Sequence, residues 1–191
     1  MIRREHASRR QSGRRTNRPH TNWFQRSAET MLDTVNADDR SIMATIATEN
    51  PVVFYDRRSD QVMQEILVAR GGRLSSWVPM LRRHRDWDLE YSLGSVLESA
   101  VSGATVRARL QFAATDDVEP IWVRVRDGHL RMVSIGGRRL QYTDIEAGTS
   151  TTIDGRRWTA GKVPLRVTTR WVQREASIVI FGADGGASTE I

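Results

Sequence analysis

The sequence predicts an α+β fold, mainly β: an antiparallel β-barrel or sandwich in the C-terminal half, with an N-terminal amphipathic helix and a basic arm ahead of it. Three observations carry that expectation. From about residue 105 apolar and polar residues alternate in short runs, two of them broken by Asp-Gly dipeptides. Near the start, Phe24, Ala28, Met31 and Val35 recur at helical spacing. Before them, "REHASRRQSGRRTNRPH", residues 4 to 20, has six arginines and no bulky apolar residue.

Residues 1 to 21 are expected to form a disordered arginine-rich arm, because they cannot bury enough surface to offset the entropy of ordering. Residues 22 to 182 then read as one globular β-rich domain and residues 183 to 191 as a flexible Gly-rich tail. "NWFQRSAETMLDTV" predicts the helix, with Asn22 as N-cap. "SIMATIAT" (41 to 48) and "PVVFY" (51 to 55) predict two strands of a hairpin across Glu49-Asn50. Residues 59 to 70 fit a helix through Val62, Met63, Ile66 and Leu67, or a strand through Val62, Ile66 and Val68. Gly71-Gly72 breaks that element, and 77 to 85 and 88 to 101 read as two short helices.

In "ATVRARLQFA", Val106, Ala108, Leu110 and Phe112 define one buried strand face. "IWVRVRDGHLRMVSI" predicts a hairpin turning at Asp127-Gly128, and "TTIDGRRW" a second one at Asp154-Gly155. Strands follow at 165 to 171 and 177 to 181. The alternation places Arg107 with Arg109, and Arg124 with Arg126, on single strand faces. If the two strands are neighbours, these four make a basic stripe; otherwise they are the wet face of a half-buried sheet.

The chain has 191 residues, 29 basic and 23 acidic, with a formal net charge of +6. Arg3, Arg4, Arg9, Arg10, Arg14, Arg15 and Arg18 against Glu5 supply that whole surplus, so the body is formally neutral. Lys162 is the sole lysine, a bias that fits a GC-rich genome as well as a need for bidentate guanidinium contacts. Seven arginines engaging duplex DNA would give a log-log salt slope of about −6; docking into an acidic groove of a protein partner is the equal alternative. There is no cysteine, which removes disulfides and thiolate metal sites. No apolar run is long enough to span a bilayer, so a soluble protein without membrane association is expected.

Catalytic patterns are sparse, and no enzyme activity, cofactor or metal is expected. His84 lies near Asp86 in "LRRHRDWD", a charge-dense stretch that reads as an exposed helix end. Asp116, Asp117 and Glu119 cluster in "ATDDVEP" as a solvated loop. The histidines show no ligand spacing, and no phosphate-binding glycine loop is present. "RRQSGRR" offers Arg10 and Arg14 in an RxxxR pattern and "MVSIGG" offers Ser134 and Gly137, which together resemble the motifs of PilZ cyclic-dinucleotide-binding barrels, with Met132 in place of the acidic first position.

"AGTSTTIDGRRWTAGKV", with Ile153 entering a tight turn and Trp158 following it, resembles the late hairpin of the small head-tail joining (stopper or adaptor) proteins of tailed bacteriophages. Thr149-Ser150 stands where that family would have a glycine-aspartate turn. The resemblance implies a non-enzymatic virion protein, a connector in a homo-oligomeric ring at the neck. Such a protein would hold neighbouring copies through its β-body and reach portal-side or tail-side proteins, or packaged DNA, with the arginine arm. Its place would be the virion, and the host cytoplasm during assembly. A nucleic-acid-binding regulator with a basic arm is the alternative, with a PilZ-like ligand-binding barrel third.

Overall fold

A computed structural model describes residues 23–181. The arginine arm and the tail 183 to 191 lie outside the described residues. Twelve strands and one α-helix follow in chain order: β1 (Trp23–Glu29), β2 (Ser41–Thr48), β3 (Val52–Asp56), β4 (Gln61–Leu67), β5 (Gly72–Arg73), β6 (Trp77–Arg82), β7 (Ser92–Ser102), β8 (Thr105–Phe112), α1 (Glu119–Arg126), β9 (Met132–Ile145), β10 (Ser150–Ile153), β11 (Arg156–Thr159) and β12 (Leu165–Val179). The mainly β architecture is as expected, and its form is a nearly closed barrel. The main sheet runs β1-β9-β12-β6-β7-β8-β2. A bridge between Thr30 and Ala44, with Met31 N donating to Met43 O (2.8 Å), brings its two ends together.

Alternation builds the core. Ile42, Ala44 and Ile46 of β2, Val106, Ala108 and Leu110 of β8, Val133 and Ile135 of β9, and Trp171, Ala176 and Ile178 of β12 pack inside with Phe24. Phe24 meets the Trp171 ring edge-on at 5.6 Å. β9 and β12 are long enough to leave the barrel together. Beyond it β12 takes β4 as a parallel neighbour, with β3 outside β4. A second small core forms there from Ile145, Trp158, Ala160, Leu165 and Val167. The β10–β11 hairpin turns at Asp154-Gly155 as expected, both at positive φ (49° and 78°).

Several expectations are corrected. The N-terminal helix is a strand, β1, followed by a single 3-10 turn at Leu32–Thr34. Phe24 and Arg26 both point to the buried side, and a buried arginine conceals the alternation. The segment 59 to 70, open between helix and strand, contains β4 at Gln61–Leu67 with Met63, Glu65 and Leu67 buried, the opposite parity from the Val62, Ile66 and Val68 alternative, followed by a 3-10 turn at Ala69–Gly71. The two helices expected at 77 to 85 and 88 to 101 are β6 and β7, which pair with each other. Gly94 sits there at φ 141°, and a Cβ at this position would overlap Gln111 O. The strands at 41 to 48 and 52 to 56 exist but do not pair together: β2 joins β8 and β3 joins β4.

The first arm of the expected hairpin at Asp127-Gly128 is a helix instead. Pro120 opens α1, and Val118, Trp122 and Val125 recur at helical spacing on the buried side, with the Trp122 ring 5.2 Å from that of Phe112. Strands expected at 165 to 171 and 177 to 181 are one continuous β12.

Candidate active site

Where β1, β9 and β12 run side by side, Ser27, Ser134 and Ser177 stand in one row across the three strands. Residues in cross-strand register share a face and lie about 5 Å apart at Cβ. Two residues along the β9–β12 ladder, Gly136 opposes Glu175. A Cβ on Gly136 would overlap Glu175 Oε1, so the carboxylate lies across the bare backbone of β9. Glu175 Oε1 is 2.7 Å from His84 Nδ1, and Glu175 Oε2 accepts a hydrogen bond from Ser177 Oγ at 2.7 Å. Ser177 Oγ in turn accepts from the backbone N–H of His84 (2.9 Å).

His84 reaches this position by strain. β6 ends at Arg82, and the next two residues, Arg83 and His84, both adopt the left-handed conformation at φ 55° and 57°. Consecutive non-glycine residues in that region cost about 1–3 kcal/mol each and persist where the surroundings hold them. Here Arg83 N donates to Ile178 O (3.2 Å) and His84 N to Ser177. The turn swings the imidazole back over β12, to the face carrying Ser134. Ser177 is occupied in orienting Glu175 and His84, and Ser134 is the neighbouring hydroxyl in the row with no hydrogen bond to the other described residues.

Ser134 is buried two residues from Gly136 along β9. His84, Gly136 and Glu175 line an open cleft of about 760 Å³, together with Trp23, Arg26, Phe54, Tyr55 and Arg139 among others. Beneath it Glu65, fully buried, accepts from Arg139 Nε (2.5 Å) and Nη2 (2.6 Å), from Thr168 Oγ1 (2.5 Å) and from Arg26 Nη2. Burial pushes the Glu65 carboxyl up, but the hydrogen bonds from Arg139 and the charges of Arg26 and Arg139 outweigh it and hold it below the ordinary carboxylate range. Arg26 and Arg139 bring two guanidinium groups to the cleft lining. The walls are two strand edges. On β1 the carbonyls of Trp23 and Gln25 already accept from Arg139 Nη1 (2.6 Å) and Arg26 Nη1 (2.9 Å). Among the described residues β3 pairs only with β4, and its Val53 and Tyr55 side chains are exposed.

The residues singled out from the sequence fall elsewhere. Arg107 and Arg109 lie on β8, where Arg109 pairs with Glu98 (2.7 Å). Arg124 and Arg126 lie on α1, where Arg124 bonds Pro120 O (2.7 Å) and Arg126 pairs with Asp127 (2.7 Å). The four are not on neighbouring strands, so the basic stripe does not assemble. Arg3, Arg4, Arg9, Arg10, Arg14, Arg15 and Arg18 lie outside the described residues. Glu119 pairs with Arg40, and among the described residues no cluster of three potential metal ligands occurs. "MVSIGG" is the first six residues of β9, in extended strand conformation and not a turn. His84 was legible only as a charge-dense stretch, and Glu175 carried no local signal. Among the described residues no helix is long and apolar enough to cross a membrane.

The glycine makes a direct test. Gly136→Ala is expected to displace Glu175 from His84, with loss of the low-field Nδ1–H proton resonance of His84 and a melting temperature that moves only a few degrees. An unchanged resonance would show that the carboxylate does not need the bare backbone. Searches of family models, of curated proteins and of solved structures find nothing that matches this chain.

Proposed function

We propose that the protein is a serine hydrolase acting on extended polypeptide, with Ser134 as nucleophile, His84 as general base and Glu175 as the group that orients His84. The observation that carries this reading is the His84–Glu175 contact, laid over Gly136 beside Ser134. With Nδ1–H donated to Glu175, Nε2 is left as the acceptor that a nucleophile's proton requires. Ser134 Oγ bonds to the substrate carbonyl carbon as its proton passes to Nε2. The same proton then goes to the leaving amine as the C–N bond breaks, and water hydrolyses the acyl-serine by the reverse relay. The Arg139 guanidinium, which lines the cleft, has the sign of charge that stabilises the tetrahedral oxyanion. An extended peptide suits the cleft, because the outer edge of β3, which has no strand beside it among the described residues, can take it as an added strand.

The experiment is labelling of the full chain with a fluorophosphonate probe and mapping of the adduct by mass spectrometry. An adduct on Ser134 that needs His84 supports the reading; its absence sinks it.

A non-enzymatic ring component, the expectation raised by the hairpin's resemblance to phage connectors, draws on a different observation. Trp87 and Leu89, two residues apart in the chain, are 71% and 92% exposed, and exposed apolar side chains that sit together are what an interface between copies would use. Sedimentation velocity tests it: a ring predicts a defined oligomer, lost on Trp87→Ser with Leu89→Ser, and a monomer at all concentrations excludes it.

A further inference from the structure

The 3-10 turn Ala69–Gly71 links β4 to β5 along the edge of β12 and is held at both ends. At its start, Ala69 N donates to Glu49 Oε1 (3.0 Å), and Glu49 Oε2 accepts from Arg156 Nη1 (2.5 Å). The Arg156 guanidinium lies over the Trp158 ring at 3.8 Å. At its end, Gly71 packs so closely on Thr169 O that a Cβ would overlap that oxygen, which also accepts from Arg170 Nη1 (3.2 Å). Arg70 is the exposed middle residue of the turn. Arginines from three separate elements therefore surround one short turn. All three line an open cavity of about 510 Å³, bounded also by the β10–β11 hairpin and by the Gly103-Ala104 corner between β7 and β8.

Charge and donor capacity are uneven here. The acids of the lining are Glu49, with one oxygen on Ala69 N and the other on Arg156, and Asp154, on the exposed hairpin turn. Among the described residues Arg70 has no hydrogen bond or ion pair, and Arg170 has only the carbonyl of Thr169. Each guanidinium carries five N–H donors, so most of those around the turn are left for a ligand. Arg156 is already oriented: stacked on Trp158 and pinned by Glu49, its plane is fixed before anything binds. A carboxylate has two oxygens in one plane and is matched by one guanidinium fork. A phosphate ester has three terminal oxygens in different directions, which suits donors arriving from three chain positions. The cavity is larger than that group, and Val68, Ala104 and Ile153 give it an apolar side. We propose that this cavity binds a phosphate monoester, its phosphate shared among Arg70, Arg156 and Arg170 and its organic part against Val68 and Ile153. The site does not depend on the chemistry of Ser134.

The test is a titration of the ¹⁵N-labelled full chain, at fixed ionic strength, with phenyl phosphate, inorganic phosphate and benzoate. The backbone amides of Gly71, Gly103 and Ala104 and the Trp158 Nε1–H are the reporters. Phenyl phosphate is expected to shift them saturably and to bind several-fold tighter than inorganic phosphate, which lacks the organic part, or benzoate, which lacks the phosphate. Arg170→Gln, at an exposed position, should weaken phenyl phosphate by at least about tenfold, the loss of a charge-assisted contact. Arg124→Gln removes the same charge on α1, beyond the end of β8 remote from Gly103-Ala104, and should leave binding unchanged. Should Arg170→Gln fold poorly, Arg70→Gln carries the same expectation. The proposal is overturned if phenyl phosphate gives no saturable shift, or if benzoate or inorganic phosphate binds as tightly. Two other results also overturn it: Arg170→Gln binding as the parent does, or Arg124→Gln weakening binding equally, which would show a diffuse field and no site.

Discussion

Ser134→Ala is expected to abolish fluorophosphonate labelling and amide hydrolysis, with the melting temperature within a few degrees of the parent. Ser134 is buried in β9 among strand neighbours that need no hydroxyl there, so a methyl group fits the same space. Glu175→Gln is the more informative companion. It preserves the side chain's shape across Gly136 but can present an N–H to His84, which favours the wrong imidazole tautomer; in a Ser-His-acid site the loss is about 10⁴-fold in kcat with little change in KM. His84→Ala should lower kcat by a similar factor, and combining it with Ser134→Ala should add almost nothing, because the groups act as one unit. Rates that instead multiply through the double variant would mean separate roles, and the hydrolase reading would fail.

What the residues revealed in advance follows a physical line. β8 was legible because Val106, Ala108, Leu110 and Phe112 obey strict alternation against one wet face, and the β10–β11 turn was legible because Asp154-Gly155 is a local signal. The rest was concealed where polar groups occupy buried positions. Arg26 in β1 and Glu65 in β4 stand where a pattern reader expects apolar residues, and each turned its strand into an apparent helix or shifted its parity. Those two are partners, so one long-range ion pair produced two local misreadings. α1 failed the other way: Val123 and Val125 between arginines mimic a strand, and only the packing of Trp122 on Phe112 settles the period. The candidate site was the least legible part. His84 and Glu175 are 91 residues apart and meet because β6 and β12 run parallel, a topology that no local pattern encodes.

The buried cluster yields the second large effect. Glu65→Gln is expected to destabilise the protein by about 3–5 kcal/mol, because it strips the carboxylate from two guanidinium groups that are 4% and 8% exposed. For a chain of this length that corresponds to a fall of roughly 6–20 °C in Tm. The pH dependence has a definite sign. A carboxyl held below its ordinary value of 4.5 contributes stability that is fully present above that value and is lost as pH falls through the lower, folded-state value. Urea unfolding should therefore show the parent losing stability below about pH 4.5, and Glu65→Gln should show a flatter acid limb from a lower plateau. Replacing all three charges together, Arg26→Met, Glu65→Leu and Arg139→Met, is predicted to restore stability to the parent's level or above, since buried ion clusters are seldom better than well-packed apolar side chains. That variant should nevertheless lose activity by about 10²-fold, because the cleft wall then lacks the positive charge that a tetrahedral oxyanion requires. Full activity in a stable triple variant would show that the cluster serves the fold alone. The predicted combination of stability regained and rate lost is what a cluster retained for the chemistry of the cleft must produce.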